Sequence, residues 1–254
     1  MARFVGTADN DVITPATISD GVDITPADAD LSGDDTIRSL AGDDQVEGDT
    51  GNDVASLGKG EDRFIWNPGD GDDTAKGSGG IDTLEFDGSD DAERMTVTTL
   101  DNGGFRFFRD LGDITVDTRR VERVEVNALG GNDTIDGSAQ TDSSVTLEID
   151  GGAGDDSLTG GAGNDRLTGQ EGIDAYIFQP GAGDDRVLDF TDDNGAQDDR
   201  IDVSAYDFTN VGQINTSVSG NDLVLNLGGG DSVRLVDYLT DHVVSDLQNN
   251  DFIY

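Results

Sequence analysis

A nine-residue period governs this chain. From residue 151 it reads GGAGDDSLT, then GGAGNDRLT from 160 and GQEGIDAYI from 169; after Phe178-Gln179 the frame resumes as PGAGDDRVL from 180. Gly holds the fourth place, Asp the sixth and, in most units, an apolar residue the eighth. The same frame runs earlier as DLSGDDTIR from 30, SLAGDDQVE from 39, GDTGNDVAS from 48 and LGKGEDRFI from 57. It shifts by Trp66-Asn67 and continues as PGDGDDTAK from 68 and GSGGIDTLE from 77. A further unit, ALGGNDTID, starts at 128, and a degenerate one, GTADNDVIT, at 6. A unit this short cannot bury its apolar residue alone, so successive units must stack, and the chain is constrained to a solenoid.

The period divides the chain into a cap over 1–29, a first repeat block over 30–85, an inserted element over 86–127, a second block over 128–188 and a C-terminal cap over 189–254. In the insert, Met95–Thr98 and Phe105–Phe108 flank Asp101-Asn102-Gly103-Gly104, a hairpin signal. Ile114–Val116 and Val121–Val126 alternate like further strands. In the tail, Leu223–Leu227 and Ser232–Val236 flank Gly228-Gly229-Gly230-Asp231, a second hairpin. No long amphipathic helix is present. The expected fold is all-β: a parallel solenoid in two blocks, an inserted antiparallel element and a β-rich C-terminal cap.

Each unit reads as a turn of about six residues and a strand of about three, with the Gly places supplying backbone angles closed to other residues. The eighth place points inward, at Ile37, Val46, Leu84, Ile135, Leu158, Leu167, Tyr176 and Val187, but at Ala55 and Ala75 as well. One inward residue in nine makes a thin core. The chain is 33% hydrophobic and carries 55 acidic against 15 basic residues, a net charge of −40. Only eight of those acids are Glu. Asp with Gly favours turns and short-armed oxygen ligation. Stacking places sixth-place carboxylates about 4.8 Å apart, the spacing of adjacent strands, which is severe repulsion without a counter-ion. Ca²⁺ accepts six to eight oxygens in flexible geometry and takes turn carbonyls as readily as carboxylates. Mg²⁺ dehydrates reluctantly, and Zn²⁺ calls for His or Cys, of which the chain has one and none.

The residues 151–168 resemble the RTX (repeats-in-toxin, hemolysin-type) family, whose unit is GGxGxDxUx with U a large apolar residue. The resemblance implies a parallel β-roll in which two nonapeptides form one coil and multiple calcium ions lie between units two apart. It implies as side-chain ligands Asp35 with Asp53, Asp44 with Asp62, Asp156 with Asp174 and Asp165 with Asp185, with Asp73, Asp82 and Asp133 in the same place, and the carbonyls of Gly151, Ala153, Gly160 and Ala162. The first block departs from the pattern, with Asp30-Leu31, Ser39-Leu40 and Leu57-Gly58 where the family has Gly-Gly. The stretch 181–203 resembles the end of RTX proteins exported by type I secretion, whose uncleaved signal lies in the C-terminal 50 or so residues.

Taken together, the expectation is a secreted bacterial calcium-binding protein, extracellular or at the cell surface, whose roll folds on Ca²⁺ outside the cell in a surface, matrix or adhesion role. Its expected partners are calcium ions, the type I secretion machinery and a cell-surface or polysaccharide partner. The alternative is a small secreted enzyme, or a calcium-dependent module of one, of the protease, lipase or polysaccharide lyase and epimerase classes. A charge of −40 argues against nucleic acid and acidic membranes. No run of 18 apolar residues could span a bilayer, and Met1–Thr7 lacks the apolar core of a secretory signal.

No catalytic motif is found. His242 stands alone without His-Glu-x-x-His, and neither Gly-x-Ser-x-Gly nor a Walker Gly-Lys-Ser/Thr occurs. Two carboxylates suffice for a glycosidase, which spacing among 55 acids does not decide. Asp28-x-Asp30-x-Ser32-Gly33 opens like an EF-hand but has Ser39 where the bidentate Glu belongs. Phe64, Ile65 and Trp66 read as a coil cap. Phe105, Phe107 and Phe108 read as the inward face and edge of the inserted sheet. Arg106, Arg109, Arg119, Arg120 and Arg123 read as strand-strand charge partners or, failing that, as a docking patch.

Overall fold

In the computed structural model the nonapeptides fold as a turn over the first places and a strand that includes the eighth. Residues 2–15, 17, 22–25, 31–191, 198–240, 242, 244, 247–248 and 251–254 are described. Asp30, which opens the first repeat, and Asp28 of the EF-hand-like run lie outside them. The chain divides into two compact units, Met1–Gly88 with Thr96–Val126, and Ser89–Met95 with Asn127–Tyr254.

In the first unit, Arg3–Val5, Thr36–Arg38, Val54–Ser56 and Asp73–Lys76 pair in parallel. Val12–Ile13, Gln45–Glu47, Arg63–Trp66 and Thr83–Ser89 do the same in a second sheet. Alternate repeats thus feed opposite sheets, so two nonapeptides make one coil. The degenerate unit at 6 joins the roll through Val12–Ile13. The register pairs Ile37 with Ala55 and Ala55 with Ala75 on one sheet. On the other it pairs Val46 with Phe64, Phe64 with Leu84 and Trp66 with Phe86. Small inward residues on one sheet are thus accompanied by large ones on the other.

The insert is antiparallel where Gly104–Arg109 meets Ile114–Arg119. Ile114–Arg119 also pairs in parallel with Asp73–Lys76, so the insert extends the roll as well as interrupting its sequence pattern. Trp66 does not cap a coil. It is wholly buried, stacked on Phe86 at 4.2 Å with parallel planes, and Phe86 packs on Phe107 at 4.1 Å. Its indole N–H donates to the Gly71 carbonyl (3.0 Å). The guanidinium of Arg109, 4% exposed, lies 5.5 Å from the Trp66 ring centre. Arg106 forms a two-pronged pair with Asp117 on the adjacent strand. The Arg-rich run is therefore divided between an internal cation–π contact, cross-strand pairing and the exposed Arg119 and Arg120, not gathered into one patch.

In the second unit, Thr134–Ala139, Ser157–Thr159, Ala175–Ile177, Arg200–Asp202 and Phe252–Ile253 form one parallel run. Thr146–Asp150, Arg166–Thr168, Asp184–Val187 and Asp231–Leu235 form the other. The tail hairpin of Asp222–Gly228 and Asp231–Leu235 is present, and Asn215–Ser219 adds a last antiparallel strand. All eight large inward residues named from the repeat are 0% exposed.

Turn stacking leaves no room at the fourth place, Gly33 of the first repeat excepted. Gly154 has φ +138°, and a Cβ there would collide with the carbonyl oxygen of Gly131 in the preceding coil. A Cβ on Gly79 would meet nothing within 4 Å. Gly154→Ala should therefore cost about 2 kcal/mol or more in saturating calcium, whereas Gly79→Ala should be neutral or stabilise by up to about 1 kcal/mol. Chemical denaturation of both variants measures this.

Candidate metal centre

The sixth-place carboxylates stand in columns, each bound to the backbone of a neighbouring coil. In the first unit the amide of Asp35 donates to Oδ1 of Asp53 (2.6 Å), and that of Asp53 to Oδ1 of Asp73 (2.8 Å). On the other edge, the amides of Asp11, Asp44 and Asp62 donate to Oδ1 of Asp44, Asp62 and Asp82 at 2.7, 2.8 and 3.1 Å. In the second unit, the amide of Asp133 donates to Asp156 (2.8 Å), that of Asp156 to Asp174 (2.9 Å) and that of Asp165 to Asp185 (2.9 Å). The four pairs named from the repeat are thus spatial neighbours. The columns also run unbroken across Trp66-Asn67 and Phe178-Gln179, where the separation rises from 18 to 20 residues.

All twelve of these Asp residues are at most 3% exposed. One carboxylate oxygen, Oδ1, is satisfied by the ladder. The other, Oδ2, is buried with no hydrogen-bond donor in Asp35, Asp53, Asp73, Asp156 and Asp185. In Asp82 and Asp165 it accepts the second-place amides of Ser78 (3.0 Å) and Gly161 (2.6 Å). The first-place glycine makes room for it: a Cβ on Gly151 or Gly160 would collide with Oδ2 of Asp156 or Asp165 in the same unit. A buried anionic oxygen with no donor is strongly unfavourable.

Its effect on ionisation follows. Burial pushes the carboxyls of Asp53, Asp62 and Asp156 up to about 7 and those of Asp73 and Asp185 up to about 8. The ladder amide opposes the shift, and the adjacent carboxylate of the column adds to it.

Turn carbonyls surround the columns. The third-place carbonyl accepts the fourth-place amide of the preceding coil, as Ala153 does from Gly131 (2.9 Å) and Glu171 from Gly154 (2.7 Å). Gly160 and Ala162, with Asp185, line a cleft of about 110 Å³. Among the described residues, no three acidic or imidazole side chains converge as a metal cage. A cation between two coils would find one or two carboxylates and backbone oxygens as donors. That all-oxygen, adaptable donor set suits calcium, not zinc. His242 instead stacks on Tyr238 (4.7 Å) with its Nδ1 3.2 Å from the Tyr238 carbonyl.

Several members of the columns carry no repeat signature. Glu122 receives the amide of Asp82 on its carboxylate (3.0 Å), and the amide of Glu93 donates to Asp133 (2.7 Å). Asp199 receives the amides of Asp174 (2.9 Å) and Thr191 (2.8 Å). A second, exposed ladder runs through the fifth place in the opposite sense. Oδ1 of Asp34 accepts the amide of Asn52, Asn52 that of Asp72, Asp43 that of Glu61, and Asp155 that of Ile173. The sequence signal was present: Asp or Asn fills the fifth place in most units.

The sequence model of the RTX calcium-binding nonapeptide repeat matches four stretches, 31–64, 68–92, 125–143 and 148–175. The chain is built on RTX calcium-binding repeats. The cation that these repeats imply is calcium. Among solved structures, the extracellular lipase LipA from Serratia marcescens matches at 14% identity with a TM-score of 0.26, over 98% of this chain and 39% of that one. This chain thus spans about two fifths of that lipase's length. No curated protein matches by sequence. The RTX coils extend beyond the matched stretches, since Asp184–Val187 and Arg200–Asp202 continue the same sheets.

The raised carboxyls set a pH dependence for the metal-free rolls. Their folded values lie above the ordinary carboxylate value near 4, so protonation stabilises the folded state. That contribution is full below about pH 4 and is lost as pH rises through about 7 to 8. In chelator, the chain should be more compact and β-rich at about pH 5.5 than at about pH 8, and calcium at the higher pH should restore compaction. Hydrodynamic radius and circular dichroism against pH test this; a metal-free chain that is most compact at alkaline pH would contradict it.

Proposed function

We propose that this chain is a secreted protein whose RTX rolls fold as calcium fills the carboxylate columns outside the cell. The observation that carries the reading is the set of buried Oδ2 atoms lacking any donor, in Asp35, Asp53, Asp73, Asp156 and Asp185. A divalent cation removes that cost and the repulsion between column neighbours. The ligands on this reading are the sixth-place Asp residues of adjacent coils with turn carbonyls, Gly151, Ala153, Gly160 and Ala162 among them. Such a site does not exist in an unfolded chain, so binding free energy becomes folding free energy. In a calcium-poor cytoplasm, repulsion keeps the chain loose and exportable. The 189–254 region carries the type I export signal, and the folded protein serves at the surface or in the matrix, in contact with a surface or polysaccharide partner.

A calcium titration followed by circular dichroism and hydrodynamic radius tests the folding switch. It should give a cooperative transition to a compact β-rich state that magnesium does not reproduce. Asp156→Ala should raise the calcium midpoint several-fold. Asp101→Ala, at an exposed turn, should leave it unchanged, and equal midpoints would sink the ligand assignment. Deleting 205–254 should abolish export while leaving calcium binding by the 30–85 repeats; normal secretion of that truncation would refute the export reading.

A further inference from the structure

Unit 2 ends in a sheet edge that lacks the usual protections. Among the described residues the strand Asn215–Ser219 lies outermost, paired on one side, with Asp222–Gly228. All five of its residues are exposed, Val218 at 56%. Its outer N–H and C=O groups form a template for another strand. Proteins blunt such edges with charge, proline, bulges or brevity. This strand has neither charge nor proline, and the register shift at Asn226/Gly228 belongs to the pairing of the two inner strands, while the five rungs of the edge pairing run without a shift. The other outer strands among the described residues, Val12–Ile13, Asp23–Thr25 and Phe252–Ile253, run to two or three residues.

The charge pattern points to the occupant. Phe208–Asn221 is fourteen residues without a charged side chain, the longest such run in a chain of net charge −40. Asp222, which ends the run, is occupied internally by Arg234 (2.9 Å) and the amide of Asp237 (2.9 Å). In a twofold pair each residue meets its counterpart on an identical surface, so a strand with net charge repels its own copy. A charge-free strand is self-complementary.

We propose that Asn215–Ser219 pairs antiparallel with the same strand of a second copy of this chain, joining two sheets edge to edge about a twofold axis at Ser217. Ser217 then faces Ser217, Thr216 faces Val218 and Asn215 faces Ser219. The interface is small, so the dimer is weak and forms at high protein concentration.

The test is sedimentation equilibrium of the full chain in calcium, up to about 1 mM protein. The expected mass is twice 26.6 kDa. Ser217→Lys and Ser217→Glu should each sediment as monomers with the wild-type circular dichroism and calcium midpoint, and an equimolar mixture of the two should regain the dimer because Lys then faces Glu. Ser217→Lys lowers the net negative charge, so nonspecific association would strengthen where edge pairing requires that it weaken. Asp101→Lys, which makes the same kind of charge change elsewhere, should leave the dimer intact. A wild type that stays monomeric, a mass growing beyond two chains, variants that still dimerise alone, or a mixture that does not recover would each overturn the proposal.

Discussion

Everything in this structure depends on how a buried carboxylate is held between neighbouring coils. Each sixth-place Asp in these ladders offers one oxygen to the amide of the corresponding residue in the adjacent coil; where the first place is glycine, the other lies beside it, as at Asp156 and Gly151. The first interaction fixes register: the amide–Oδ1 bond is a rung that recurs once per coil on each edge. The second creates a demand for positive charge. A single residue type thus supplies both the geometry of stacking and the requirement for a cation, while the inward apolar residue only fills the space between the sheets. With Ala55 and Ala75 at that place, burial in parts of the first unit is modest, and the polar ladder carries correspondingly more of the specification.

Much of this was legible because a solenoid translates sequence period into spatial period. Residues 18 apart become neighbours, so Asp35 and Asp53 can be paired by counting. The same counting survived the extra residues at 66–67 and 178–179, because a turn can widen without displacing the strand that follows it. Where the period lapses, counting has nothing to work on. Glu122, Glu93 and Asp199 stand in the columns through folding alone, delivered there by strands whose sequences do not repeat. Trp66 differs from its sequence reading for a related reason: it is out of frame in sequence, yet as the last residue of Arg63–Trp66 it points inward like Phe64, two residues before it. Strand alternation, not the nine-residue frame, decided its direction.

The two ladders also explain why the fifth and sixth places are both Asp or Asn in most units. They run in opposite senses. A sixth-place oxygen accepts from the coil before it, and a fifth-place oxygen accepts from the coil after it. Each coil is therefore bonded to both neighbours by short side chains reaching one step along the axis, a distance that Asp and Asn span within the repeats and Glu spans at Glu122, outside them. The fifth place is exposed, so its charge remains solvated and costs little; the sixth is buried, and its charge must be compensated. The place where Ile81 and Ile173 replace the fifth-place acid is informative for the same reason. The amide of Ile173 still bonds back to Asp155, but its side chain offers no acceptor to the following coil, so the exposed ladder can be interrupted while the buried one continues through Asp174 to Asp199.

That asymmetry separates what the roll can lose from what it cannot. An exposed rung replaced by an apolar residue forfeits one hydrogen bond to a backbone amide that water can satisfy instead. A buried rung replaced by an apolar residue removes an acceptor from an amide that water does not reach, and with it one of the oxygens that draws the cation. Where one run of rungs begins, Leu147 occupies the sixth place, and there it serves as a donor: its amide bonds to Asp165. Ala2 stands in the same relation to Asp35. Apolar residues are thus admitted to the buried columns at the end where a backbone amide alone suffices, and within the runs of consecutive rungs the place is kept acidic, by Glu122 and Asp199 where the repeat itself has ended.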